Sequence, residues 1–355
     1  MKKMLCLLIV PFCVTSPVRA WNSEGHMIVA QIAYNHLNPV ARARCDALIA
    51  VNLDPFYSAG TSNFVTAASW ADDFKSALDT GIWHYIDIPF SLDGTSTSGV
   101  ALAPFDVVQA INLNIATLQN PSATQSNQAV NLRYLIHFVG DIEQPLHCST
   151  AVWASRPGGD AGGNLFYING DWSNLHSLWD SGGGFLTDSI YRPLTVTGQN
   201  ILNAKVATIE ADFPYDYRTN VGTIPNPMDW ALEGWNLAQS ICYAGISQNA
   251  VPSNTYLNTA MATTEQRMAV GGHRLADLLN TLFPLPSVVL TASPGNDGNF
   301  SFSWGAVSNV SYHVQWKQQL TDPTWNDLTN ITASSDSASF AEKALQTQRF
   351  YRVTE

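Results

Sequence analysis

Between Leu135 and His147 the chain reads L-I-H-F-V-G-D-I-E-Q-P-L-H, an apolar run that carries two imidazoles and a carboxylate. His137 and Asp141 stand four residues apart, so on a helix they share one face. Pro145 lacks a backbone donor and cannot continue that helix without loss of a bond. The helix is therefore expected to bend or stop there, turning His147 back toward the same face. Leu135, Ile136, Phe138, Val139, Ile142 and Leu146 would bury the segment, and a buried charge needs a partner or a metal. Metal binding is the sharper reading of this stretch.

Helical spacing recurs along much of the chain. Ser23 is placed to cap a helix to Leu37, and Pro39 to open the next, to about Ala50. Further helices are expected over Phe105–Leu118, Asn127–Ile142, Asn174–Asp180 and residues 198–212, 228–247 and 264–282. Trp83–Asp87, aromatic and β-branched, reads as a short extended piece. Residues 91–103 read as a Ser/Thr/Gly loop, and glycines in 155–170 imply tight turns. Beyond Pro284 and Pro286 the texture changes. Phe300–Trp304, Tyr312–Trp316 and Phe350–Val353 alternate apolar with polar residues, the period of half-buried strands. The expected fold is mainly α, a helical domain over 21–284, followed by a small β-sandwich of fibronectin-like or immunoglobulin-like type over 285–355.

At the start, Lys2-Lys3, an apolar run from Met4 to Val14 and Val18-Arg19-Ala20 before Trp21 form a signal-peptide pattern over residues 1–20. That run is too short to favour a membrane span, and no later stretch is long enough. A soluble, exported protein, extracellular or periplasmic, is expected. Losing Lys2, Lys3 and Arg19 moves the formal charge from −11 to −14, with 14 Lys+Arg against 28 Asp+Glu. So acidic a chain is a poor generic binder of polyanions, and a nucleic-acid role must rest on local groups, metal ions above all. Cys45, Cys148 and Cys242 remain, permitting at most one internal disulfide among three possible pairs.

Five of the eight mature histidines fall in compact motifs with carboxylates: His26, His84, His137, His147 and His176, with Asp72, Asp141 and Asp180. His176 and Asp180 repeat the four-residue spacing of His137 and Asp141. Imidazole and carboxylate without cysteine pairs suit a catalytic zinc site with open positions. A zinc ion takes about four ligands, so eight such side chains imply two or three metals. His36, His273 and His313 lack such neighbours and read as structural, and Cys148 reads as a buried or disulfide-bonded thiol rather than a ligand.

These motifs together resemble the S-one/P-one nuclease family, secreted trinuclear-zinc nucleases and 3′-nucleotidases that share a fold with zinc phospholipase C. The resemblance spans about Trp21 to Leu282 and rests on W-x-x-x-G-H26, S-W-A-D72, W-H84-Y-I-D, H137-F-x-G-D141-I-x-Q-P-L-H147, G-G-N164 and N-L-H176-x-L-W-D180. It implies three Zn2+ ions. One would be held by Asp72, His84, His137 and Asp141, a second by His147, His176 and Asp180. The third would use the α-amine and carbonyl of Trp21, with His26 and bridging Asp141. It further implies catalytic parts for Asp72, Lys75 and Asp141, with Lys75 beside the scissile phosphate. Tyr85 would stack on a base and Asp87 would bond its edge. The implied substrates are single-stranded DNA, RNA and 3′-nucleotides, hydrolysed in line to 5′-phosphate products. Ser181 departs from the asparagine that some members carry, which touches phosphate contacts and not metals. Two rival readings are a phospholipase C-type phosphodiesterase and a non-enzymatic secreted binding protein. The C-terminal module is expected to serve surface attachment, sorting or spacing.

Overall fold

The computed structural model describes residues 21–187, 189–215, 226–284, 291–294, 299–307, 310–335, 337–343 and 349–354. The expected signal segment, residues 1–20, and the start of the linker, 285–290, lie outside the described residues.

The central element is helix α6, Gln125–Asp141, whose Thr124 hydroxyl caps the Asn127 amide. Leu132, Leu135, Ile136, Phe138 and Val139 are fully buried. Each large apolar side chain so buried contributes roughly 1.5–3 kcal/mol, which offsets the cost of sinking His137 and Asp141 among them. The helix stops at Asp141, and Gln144 caps a single 3-10 turn, Pro145–Cys148, by accepting from the Leu146 amide at 2.6 Å. The helix thus stops short of Pro145, as a missing donor requires. The chain runs on into strand β2, Ser149–Val152, which pairs in parallel with β1, Ile88–Ser91. That pairing extends to Ile86, whose amide donates to the His147 carbonyl at 2.8 Å. Two motifs far apart in sequence meet there.

Around α6 pack α1 (Ser23–Asn35), α2 (Pro39–Ile49), α5 (Val107–Gln119), α9 (Pro227–Leu237) and α10 (Asn254–Leu282) in one continuous core. The shorter α3 (Phe64–Ala67) and α4 (Trp70–Leu78) bring Asp72 to it, and α7 (Leu175–Asp180) carries His176. Helix α8, Val196–Asp212, packs with α1 and α10 through Leu202, Val206 and Ile209. No helix among the described residues is long and apolar enough to cross a membrane.

Several boundaries differ from the sequence reading. Asn22, not Ser23, caps α1 by accepting from the Gly25 amide at 3.1 Å, and the Ser23 hydroxyl instead meets that of Ser69 at 2.8 Å. The stretch expected to be extended at Trp83–Asp87 begins as a 3-10 turn, Gly81–His84. Its aromatic character serves packing of Trp83 against Phe105 and Tyr134 rather than strand alternation. Helix α10 starts at Asn254, ten residues before the expected 264, capped by Ser253. Its first turns bury Tyr256 and Ala260, with Leu257 packed beside them, a helical spacing that the expected start left out. The segment after α9 widens into a π-helical piece, Ala238–Cys242, and the helix ends there, before residue 247. All three cysteines are buried and free, and no disulfide forms among them.

The C-terminal strands are β3 (Thr291–Pro294), β4 (Asn299–Gly305), β5 (Ser311–Lys317), β6 (Asn326–Thr332), β7 (Ser337–Lys343) and β8 (Phe350–Thr354). They form two antiparallel sheets, β3-β4-β7 and β6-β5-β8. Phe302 and Trp304 of the first sheet and Tyr312 and Val314 of the second close a shared apolar core, the sandwich that the alternation implied.

Candidate metal centre

Asp72 Oδ1, His84 Nδ1, His137 Nε2 and Asp141 Oδ2 converge at the C-terminal end of α6. His84 Nδ1 lies 2.9 Å from Asp141 Oδ2 and 3.0 Å from His137 Nε2, which is itself 3.2 Å from Asp141 Oδ2. Asp72 Oδ1 stands 3.8 and 3.9 Å from the two imidazole nitrogens. These separations bracket the roughly 3.4 Å edge expected of a tetrahedron of ligands about 2.1 Å from a zinc ion. On the other side of Asp141, Oδ1 is 3.3 Å from His26 Nε2. The His26 ring stacks on His137 with centroids 3.9 Å apart. Gly140 permits that approach, because a Cβ there would stand 2.8 Å from His26 Nδ1. Trp21 is fully buried alongside, its indole N–H donating to the Gly140 carbonyl at 3.0 Å.

The second group, His147, His176 and Asp180, brings its ligand atoms within 4.8 Å of one another. His176 Nε2 lies 3.4 Å from Asp180 Oδ2. Backbone carbonyls set the imidazole tautomers in both groups. His137 Nδ1 donates to Ala68 O at 2.6 Å, His147 Nδ1 to His84 O at 2.8 Å and His176 Nδ1 to Gly162 O at 2.6 Å. Each bond leaves Nε2 pointing inward, the arrangement found around metal-ligating histidines. Among the described residues, His147 Nε2 and both His26 nitrogens are buried without a hydrogen-bond partner. A buried polar atom costs free energy unless satisfied, so the donor set fits divalent metal ions.

Electrostatics point the same way. Burial, with His137 adding to it, lowers His26 to about 3, and burial lowers His84 and His147 as well. These rings are neutral near pH 7, as ligands must be. Burial opposes charging His137, but Asp141 and Asp72 outweigh it and raise that imidazole. Burial would raise Asp141, yet His137 and His84 hold it well below the carboxylate range. Burial likewise works against Asp72, and His137, His84 and Lys75 bring it down to about 2. Asp180 is driven well above its ordinary value by burial, with Asp72 and Asp141 repelling its charge.

Lys75 Nζ contacts Asp72 Oδ1 at 3.0 Å, one turn along α4. Tyr85 and Asp87 line a small pocket with Leu146, Gly162, Asn164 and His176, adjoining the second group. Burial, reinforced by Asp160, pushes Asp87 from 3.8 up to about 7. The unfolded carboxyl ionises near its ordinary value, so between about pH 4 and 7 unfolding releases a proton that the fold retains. Stability is therefore expected to fall as pH rises through that window, and Asp87→Asn to remove its share of the fall. Denaturant midpoints of chelator-treated protein across the range would read this.

Every ligand-type residue expected from the sequence lies in one contiguous region, and several supports were not expected. Gln144 donates to Asp180 Oδ1 at 2.8 Å while capping the Pro145 turn, and a polar residue just before proline was its one sequence signal. Asp160 is buried and accepts from the Ala151 amide at 2.9 Å and the Tyr243 hydroxyl at 2.7 Å, anchoring the glycine loop that presents Gly162 O. Glu143 is fully buried and paired with Arg267 and Arg274 of α10, which also reach Glu233. Those partners are remote in sequence and gave no local signal. Ser181 turns its hydroxyl back to Leu178 O at 2.8 Å.

A helical fold that gathers imidazoles and carboxylates into adjoining, tautomer-fixed groups defines a candidate multi-metal protein. The family model described as S1/P1 Nuclease matches residues 21–284. The chain belongs to the S1/P1 nuclease family, a family of hydrolases acting on phosphodiester bonds. It is 27% identical over 283 residues to Endonuclease 2 of Arabidopsis thaliana, covering 75% of this chain and 91% of that protein. It is 26% identical over 294 residues to Nuclease P1 of Penicillium citrinum, covering 74% and 97%. Among solved structures, the alpha toxin from Clostridium absonum aligns over 93% of this chain and 85% of its own. At 12% identity and a TM-score of 0.37, that overlap is too loose to carry an argument. The family match ends at residue 284, and neither the comparisons nor the described contacts support a surface or sorting role for the strands beyond it.

Proposed function

We propose that the protein is an exported, zinc-dependent endonuclease and 3′-nucleotidase that cleaves single-stranded DNA and RNA and leaves 5′-phosphates. The observation that carries this reading is the convergence of Asp72, His84, His137 and Asp141, with Asp141 shared toward His26. Asp72, His84, His137 and Asp141 would hold one ion, and His147, His176 and Asp180 a second. His26, Asp141 and the backbone amine and carbonyl of Trp21 would hold a third. Within a longer chain the Trp21 nitrogen is a planar amide with a delocalised lone pair, so removal of residues 1–20 is what makes it a ligand. Bound zinc supplies Lewis acidity and brings water ionisation down to about pH 7.

The chain's own residues do the rest. Asp72 and Asp141, held ionised by neighbouring imidazoles, keep the donor set anionic against three cations. Lys75 offers an ammonium beside Asp72, placed to balance charge on a phosphoryl oxygen. Gln144 orients Asp180, and the pocket of Tyr85 and Asp87 suits an unstacked base. A base in a duplex hides both faces, so stacking on Tyr85 selects single strands. Tyr85→Ala is expected to raise KM on single-stranded substrates about tenfold with kcat little changed, since one stacked base is worth about 1–3 kcal/mol.

The deciding experiment assays the purified mature protein on single-stranded DNA, duplex DNA and phosphatidylcholine, with its metal content and N-terminal residue determined in parallel. Preferential cleavage of single strands, lost on chelation and restored by zinc, is the expected result. Cleavage of lipid alone would replace this reading with a phospholipase C-type one, and no hydrolysis by zinc-loaded protein would end it.

A further inference from the structure

His36 and His273 read as structural in the sequence, yet the fold brings both to Glu210. His36 directly follows α1, Glu210 lies in the last turn of α8, and His273 sits within α10. One ligand atom from each lies within 4.8 Å of the others. His36 Nε2 is 2.6 Å from Glu210 Oε1. We propose that His36, Glu210 and His273 form a separate, non-catalytic site for one zinc-class divalent ion that ties α1, α8 and α10 together.

The surroundings hold all three side chains in place. Glu210 Oε2 accepts from Asn35 Nδ2 at 3.2 Å, and Asn35 Oδ1 accepts from Gln31 Nε2 at 2.9 Å. Gln31 Oε1 in turn accepts from Gln199 Nε2 at 3.0 Å, so a chain of amides sets the carboxylate. The His36 ring stacks on Tyr215 with centroids 4.4 Å apart, and His273 stands edge-on to both at 5.5 and 5.1 Å. The Asn280 amide donates to the His36 carbonyl at 2.9 Å. Such outer contacts orient first ligands in metal sites. His273 is fully buried, whereas His36 and Glu210 are 27% and 22% exposed, and a groove of about 470 Å³ reaches Glu210. An ion has a buried anchor, two adjustable ligands and a route in.

Two imidazoles and one carboxylate select zinc, cobalt or nickel over calcium or magnesium, which take oxygen ligands. Three protein ligands with a water in the fourth position are an established zinc composition. The rival reading is an ordinary His36–Glu210 hydrogen bond beside a packed histidine. Ligands of a tetrahedral zinc stand roughly 3.4 Å apart, so the 2.6 Å pair would open by under about 1 Å, within reach of partly exposed side chains. The proton between Nε2 and Oε1 would leave to solvent as the ion binds. Because α1 carries His26 and α10 carries the arginines that hold Glu143, the tie stiffens two supports of the cleft.

The test uses full mature protein with its resident ions, and compares it with Glu210→Gln and His36→Asn after equilibration in buffered Zn2+. The expected result is one ion fewer per chain in each variant, by elemental analysis, with hydrolysis of single-stranded DNA unchanged. Added Zn2+ should also raise the Tm of the native protein more than that of either variant. Equal ion content in all three proteins, or equal zinc-dependent Tm shifts, would overturn the site. A lost ion in a protein that proves to have no nuclease activity would leave this site standing while ending the functional reading.

Discussion

Asp141→Asn is expected to reduce turnover of single-stranded DNA by about a thousandfold or more while leaving the fold intact. Losing one preorganised electrostatic contact costs about 10²–10³ in rate, and altering groups that merely support a metal ligand costs about 10–100-fold. Asp141 exceeds both cases because its two oxygens face different imidazoles: His84 and His137 from Oδ2, His26 from Oδ1. Asparagine keeps the shape but removes the charge and one lone-pair donor, so both sides of the shared carboxylate weaken. Metal content should fall with activity, while circular dichroism stays unchanged. Native metal content with a native rate would show that Asp141 is not shared.

The second large effect falls on stability. Glu143→Ala should destabilise the protein by about 3 kcal/mol, a large fraction of the 5–15 kcal/mol by which domains are held folded. Glu143 has no exposure to water and neutralises Arg267 and Arg274, themselves almost fully buried. Its removal leaves two guanidinium groups dependent on Glu233, whose side chain is 45% exposed. The remaining partner keeps the loss near the lower end of the 3–5 kcal/mol typical of a broken buried pair. Glu233→Ala, by contrast, should cost about 1 kcal/mol or less, because water already screens that carboxylate. Denaturant midpoints of the two variants separate the cases. Equal losses would show that the buried member has no special role. Since Glu143 sits in the turn between Asp141 and His147, its loss should also lower the zinc content expected of the proposed His147 group.

Much of the centre was legible because its signals are local. His137 and Asp141 are one turn apart, as are His176 and Asp180, and a helix of any tertiary setting puts each pair on one face. Pro145 dictated a stop, and the observed helix ends four residues before it. The sandwich strands announced themselves through alternation at Phe302 and Trp304, buried as expected. Where the reading slipped, a local signal was weak or had two causes. The aromatic run at Trp83 looked like a strand and proved to be packing. The opening turns of α10 set Tyr256, Leu257 and Ala260 at helical spacing but between Asn254, Thr255, Asn258 and Thr259, which weaken the signal.

The residue types themselves thus determined the candidate donor set, the helical spacing of two histidine–aspartate pairs, and the change from helix to strand beyond Pro284. Tertiary structure alone decided which groups complete the centre, the carbonyls of Ala68, His84 and Gly162 that set tautomers and the arginines that neutralise Glu143, and it alone brought His36, Glu210 and His273 together elsewhere. The reason is physical. Periodicity along a chain reports which face a side chain shares with its near neighbours, whereas a backbone carbonyl is the same at every residue, and a remote partner becomes visible only when packing brings it near.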